Sequence, residues 1–136
     1  MKKLLILSAV SMLVAVAFEC QAQVVNQVQR ITASDTLTNA DTAYLSFNSI
    51  GSHLKSIQVS VDKISGTVAG SVFIQATVDG FNWDSVTDTL TLANQANNKR
   101  TWFFTNTYYN SYRARSITSG TMQAKINAAL LRRGDE

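Results

Sequence analysis

An all-β fold is what this chain predicts: an antiparallel β-sandwich, jelly-roll-like, of about eight strands spanning residues 23–132. Three observations carry that expectation. Apolar and polar residues alternate along most of the chain, and no window after residue 24 sustains a period of 3.6. Turn signals recur roughly every ten residues. The chain also holds 14 serines and 14 threonines, and β-branched Thr suits a pleated, half-exposed surface.

The first segment reads as an address rather than as part of that fold. Met1-Lys2-Lys3 is a positive start, and Leu4 to Phe18 is an apolar run broken only by Ser8 and Ser11. Cys20 and Ala22 then supply small residues for cleavage, the layout of a secretory signal peptide over residues 1–22. A retained hydrophobic anchor helix is the rival, although the run is short of the roughly 20 residues a bilayer span needs. Lipid attachment at Cys20 is disfavoured by Glu19 directly before it. The expected localisation is therefore exported or in a virion, with membrane contact only if residues 4–18 are retained.

The elements follow in order. Val24 to Thr32 is a weak strand, because its apolar residues alternate poorly. Ala43, Leu45 and Phe47 alternate with Thr42, Tyr44, Ser46 and Asn48, and Ile57, Val59 and Val61 form the cleanest half-buried strand. After Ser65-Gly66, Val72, Ile74, Ala76 and Val78 line another apolar face. Asp79-Gly80 predicts a hairpin, with Trp83 to Leu92 as the returning strand. Ala93 to Lys99 reads as a polar loop, Thr101 to Thr105 as an aromatic strand, and Asn106 to Asn110 as a second loop. Ser111 to Thr118 and Thr121 to Leu131 are expected to form a hairpin closed by Ser119-Gly120. Its first arm puts Arg113 and Arg115 opposite Tyr112 and Ala114. Its second arm competes with a helix over Met122 to Arg132, since Ala and Leu favour helices; the alternation decides for a strand. Residues 133–136 form a charged tail, whose Arg133-Gly134-Asp135 reads as a chance tripeptide.

Composition excludes several functions. Hydrophobic content of 46% is incompatible with a disordered polymer, and the length allows one domain. One cysteine precludes an internal disulfide, and one cysteine with one histidine precludes a structural zinc site. Removing residues 1–22 leaves 10 basic and 8 acidic residues, net +2, too little to imply nucleic-acid binding. His53 sits in a Gly-Ser-His turn with no G-x-S-x-G elbow, and the carboxylates fall at turns or exposed strand positions, so no catalytic residue is assigned. Asp79, Asn82 and Asp84 offer oxygen atoms without the spacing of a calcium loop, and neither metal nor cofactor is expected.

Aromatics in and beside loops are the stronger lead. Phe81, Trp83, Tyr108 and Tyr109 could stack on sugars or anchor an interface, and Arg113 and Arg115 complete the candidate binding set. The competing expectation is that Trp83 and Trp102 fill the space between the sheets. Arg113, Arg115 and Lys125 are expected to make a small basic stripe across the last hairpin, read as a solvated outer face rather than an anion site. The chain has no proline, so sheet edges lack that blocking device and need charges or neighbouring subunits to cover them.

Two stretches resemble a known pattern. Gly70-Ser71-Val72-Phe73-Ile74-Gln75 followed by Asp79-Gly80-Phe81-Asn82-Trp83 is similar to a strand and DG-x-N-W turn in small β-sandwich modules of tailed-phage virion proteins. Tyr108-Tyr109, Tyr112-Arg113-Ala114-Arg115 and Ser119-Gly120-Thr121 fit the later strand and hairpin of the same modules, so the resemblance spans about residues 67–132. The turn also looks like the DG-x-x-W hairpin of discoidin-type carbohydrate-binding domains, but bracketing cysteines and an early Trp strand are missing. The signal-like segment departs from the phage pattern. The resemblance implies a non-enzymatic capsid or tail accessory subunit that self-associates or binds other virion or surface proteins. The alternative it implies is a secreted bacterial carbohydrate-binding or surface-adhesion module, with a glycan as partner.

Overall fold

The computed structural model describes residues 29–48, 54–105 and 107–133. The segment expected to be a signal or anchor, residues 1–22, lies outside the described residues, as do Cys20, His53 and residues 134–136. Nine strands are formed among the described residues: β1 (Gln29–Thr38), β2 (Thr42–Asn48), β3 (Leu54–Gly66), β4 (Gly70–Thr77), β5 (Asp84–Ser85), β6 (Leu90–Leu92), β7 (Asn97–Phe104), β8 (Ser111–Thr118) and β9 (Met122–Arg133). One sheet has the order β1-β9-β3-β7; the other has the order β2-β8-β4-β5, with β6 also paired to β4. Every pairing is antiparallel. The first and last strands are neighbours in one sheet, and the second and next-to-last are neighbours in the other. That is the doubled Greek key of a jelly roll.

Alternation places the core. Ile57, Val59 and Val61 of β3 and Ala124, Ile126, Ala128 and Leu130 of β9 point inward from the first sheet. Leu45 and Phe47 of β2, Val72 and Ile74 of β4, and Tyr112 and Ala114 of β8 meet them from the second. Burying each large aliphatic side chain stabilises by about 1.5–3 kcal/mol. β9 is a strand rather than a helix because its even-numbered residues from Met122 to Leu130 face the core while its backbone is paired on both sides, to β1 and β3. Tertiary pairing outweighs the helix preference of Ala and Leu.

Several expectations change. β8 and β9 are not a hairpin: β8 pairs with β2 and β4, β9 with β1 and β3, so Ser119-Gly120 carries the chain from one sheet to the other. The first strand runs to Thr38 rather than ending at Thr32. As an edge strand it needs few buried residues; only Leu37 is fully buried, while Asp35 faces solvent. Trp83 to Leu92 is not one returning strand but two short ones, β5 and β6. Side chains interrupt the ladder between them: Ile74 N–H donates to Thr87 Oγ1 at 2.9 Å, and Trp102 Nε1–H donates to Asp88 Oδ1 at 3.0 Å. Val78 lies beyond the end of β4 and is exposed. The loop after β6 ends at Ala96, because the buried Asn98 side chain closes it, bonded to both the N–H and the C=O of Ala93 at 2.9 Å.

Two of the sheet-crossing connections, residues 67–69 and 119–121, pack backbone to backbone. Thr67 N–H donates to Thr121 C=O at 2.9 Å and Ser119 N–H to Ala69 C=O at 3.1 Å. A Cβ at Gly66 would lie 2.0 Å from Thr121 O, and one at Gly120 would lie 2.1 Å from Thr67 O. Gly66 also has a φ of 71°. Both sites therefore require glycine.

Candidate functional site

The outer face of the second sheet gathers rings and guanidinium groups. On β8 the alternation that buries Tyr112 and Ala114 turns Arg113 and Arg115 outward. Register then sets their neighbours. Arg115 stands between Tyr44 of β2 and Phe73 of β4, and Arg113 stands between Ser46 and Gln75. The short β5 pairs Ser85 with Gln75 and Asp84 with Ala76, which brings the preceding Trp83 alongside Arg113.

The result is a ladder of alternating rings and cations. The Arg113 guanidinium lies 4.1 Å from the Trp83 ring centre and 4.5 Å from that of Tyr44. The Arg115 guanidinium lies 5.7 Å from both Tyr44 and Phe73. Arg113 Nε–H donates to Gln75 Oε1 at 2.9 Å, whereas the buried Nε of Arg115 meets no acceptor among the described residues. Burial beneath the rings lowers the Arg113 pKa from its ordinary value; Tyr44 opposes that and the like charge of Arg115 adds to it. Neither guanidinium has a carboxylate partner among the described residues, in contrast to Arg100, which pairs with Asp88. Each such ring–cation pair stabilises by about 0.5–1 kcal/mol at an exposed site.

Of the six candidate binding residues, the ladder unites Trp83, Arg113 and Arg115. Trp102 is a core residue as expected, 6% exposed, but Trp83 lies on the outer face and does not fill the space between the sheets. Phe81 (87% exposed) and Tyr108 (78% exposed) stand on two loops at one end of the sandwich. Those loops are tied by Asn110, whose N–H donates to Thr77 C=O at 2.9 Å and whose side chain donates to Val78 C=O at 2.7 Å. Tyr109 is half-buried, edge-on to Tyr112 at 5.9 Å. The expected basic stripe does not form, because Lys125 sits on β9 in the first sheet while both arginines sit on β8 in the second. Tyr44 and Phe73 are the members that strand patterning missed.

The Asp79 turn is built from its own side chains. Asp79 Oδ1 accepts from Phe81 N–H and Asn82 N–H at 2.8 Å and from the Thr77 hydroxyl at 3.0 Å, and Oδ2 accepts from the Asn82 amide at 2.6 Å. These bonds, led by the Asn82 and Phe81 N–H groups, hold its carboxyl well below the usual carboxylate range. Its oxygens are thus committed to the turn, and no group of three or more His, Cys, Asp or Glu residues comes together among the described residues.

The first sheet presents a different outer face. Thr32, Ser34, Gln58, Ser60 and Asn127 line a shallow groove of about 360 Å³. Beside it, Phe103 (79% exposed) and Leu131 flank Ser56 in register, and Leu54 stands at the end of the same strand. A hollow of about 260 Å³ lies among these apolar residues, with Phe104 and Thr105 in its wall.

Fold and surfaces together define a jelly-roll β-sandwich with two decorated outer faces. No protein-family model matches the chain, and no curated protein matches its sequence. Solved structures do match in fold. The PBSX exported protein XepA superposes with a TM-score of 0.60 at 11% identity over 79% of this chain, which spans 38% of XepA. The SPBc2 prophage-derived protein YomS gives 0.50 at 11% identity, covering 79% of this chain and 97% of YomS. The mitogen derived from Yersinia pseudotuberculosis gives 0.55 at 9% identity, covering 81% of this chain and 91% of the mitogen. The likeness to phage sandwich modules thus holds at the level of fold. A fold shared with both prophage-derived proteins and a mitogen leaves function to the surfaces.

Proposed function

We propose that this chain is a non-enzymatic β-sandwich subunit of a phage-type assembly, exported or carried in a virion, that packs against further copies of itself. One observation carries the reading: Phe103, Leu131 and Leu54 form an exposed apolar cluster beside a groove lined mostly by hydroxyl and amide side chains. An aromatic side chain buries roughly 150–250 Å² when covered, and apolar patches rimmed by polar groups mark interaction surfaces. The fold shared with XepA and YomS supports placing that surface in a phage context. On this reading residues 1–22 direct export and a second copy covers the first sheet.

The test is the oligomeric state of the purified full chain, measured by sedimentation over a hundredfold range of concentration. Wild type is expected to associate, and Phe103→Ser is expected to remain monomeric with its thermal unfolding retained. A strictly monomeric wild type at the highest concentration would overturn the reading.

A further inference from the structure

We infer that the ring–guanidinium ladder Trp83–Arg113–Tyr44–Arg115–Phe73 is a binding site for an anionic saccharide. The inference is independent of self-association, since the ladder lies on the sheet opposite Phe103.

Charge complementarity sets the ligand's sign. Arg113 and Arg115 are two residues apart on one strand, their Cα atoms roughly 7 Å apart along it, and neither guanidinium is neutralised by a carboxylate among the described residues. Each guanidinium lies against two rings, which restricts the side-chain freedom that would be lost on binding. Among the described residues only Arg113 Nε donates to a protein acceptor, so the terminal nitrogens of both groups make no protein hydrogen bond there and can engage an oxyanion.

The neighbouring side chains favour a sugar. Exposed Ser46 and half-exposed Ser71 border the ladder with hydroxyl groups able to meet sugar hydroxyls, while buried Gln75 holds Arg113 from beneath. Exposed Tyr44 and half-exposed Trp83 add flat apolar surface beside the cations. A nucleic acid would need a longer basic track, with something like 6–10 phosphate contacts for strong binding. Two cations on this face fall short of it.

The experiment is affinity electrophoresis of the full chain through gels containing polygalacturonate, dextran sulfate or neutral dextran, at low and high salt, with single-stranded DNA as a further arm. Polygalacturonate or dextran sulfate is expected to retard wild type, the stronger of the two identifying carboxylate or sulfate as the recognised group. Retardation should fall with salt. Arg115→Gln should weaken it at least tenfold, and the Arg113→Gln/Arg115→Gln pair should abolish it. Lys125→Gln, which removes one positive charge from the opposite sheet, should leave it unchanged. Thermal unfolding checks that the variants fold, and should the Gln variants not fold, Arg115→Lys replaces them. Lys keeps the charge without the planar fork, so an intermediate retardation is expected. Equal retardation by neutral dextran, no retardation by either acidic polymer, tighter binding of DNA, or loss in Lys125→Gln equal to that in Arg115→Gln would each overturn the inference.

Discussion

Asp79 illustrates how one carboxylate organises a turn. Four donors from Thr77, Phe81 and Asn82 converge on it, and its proton affinity falls accordingly. Because its pKa is lower in the folded state than in the unfolded chain, the turn's stabilisation is fully present above the unfolded value. It is lost as pH falls from about 4 toward the folded value. Asp79→Asn removes the titration while keeping most of the shape. The melting temperature of wild type is therefore expected to exceed that of the variant by a constant margin above about pH 5, and the margin should shrink below about pH 4. A margin unchanged down to pH 2 would show that the charge contributes nothing. At this scale the sequence was informative: Asp79-Gly80 marked a reversal correctly. The six residues between β4 and β5 were not legible, because they depend on Asp79 recruiting donors up to three positions ahead of it.

At the scale of elements, the sheet-crossing connections at residues 67–69 and 119–121 approach each other closely enough to require glycine. Gly66→Ala would force a left-handed φ of 71° on Ala and drive its Cβ into Thr121 O, where neither backbone can yield without breaking the Thr67–Thr121 bond. Gly80 has a φ of 83°, yet nothing lies within 4 Å of a Cβ there. Gly80→Ala should thus cost only the backbone strain, about 1 kcal/mol, and Gly66→Ala at least about 2 kcal/mol. Urea unfolding of the two variants separates these outcomes; equal losses would refute the proposed clash. The same comparison explains which strands could be read in advance. β2, β3, β8 and β9 bury every second residue, so local alternation revealed them. β5 and β6 are too short to alternate, and β1 is an edge strand whose Asp35 breaks the pattern. Sheet membership was not legible at all between β8 and β9. A two-residue Ser-Gly turn signal does not distinguish a hairpin from a crossover when the partners of each strand lie at least 34 residues away in sequence.

For the whole molecule, the same long-range register decides which surfaces exist. Trp83, Arg113 and Arg115 were recognisable as unusual, but Tyr44 and Phe73 joined them only because β2 and β4 flank β8. The absence of proline raised the question of what covers the sheet edges, and the structure moves part of that question to a face. Phe103, Leu54 and Leu131 alone cannot supply the roughly 1,200–2,000 Å² a stable interface buries. They can act as its apolar centre if the hydroxyl-rich remainder of the first sheet forms the polar rim. That arrangement has a thermodynamic signature distinct from a change in sedimentation. Association that occurs only in the folded state raises stability by mass action, by up to about 1.4 kcal/mol for each tenfold rise in partner concentration above the dissociation constant. The melting temperature of wild type is therefore expected to climb with protein concentration. That of Phe103→Ser should stay flat and meet the wild-type value at high dilution, because an exposed Phe contributes little to the isolated fold. If instead Phe103→Ser melts lower than wild type by the same amount at every concentration, Phe103 stabilises the single chain, and the first sheet is not where copies meet.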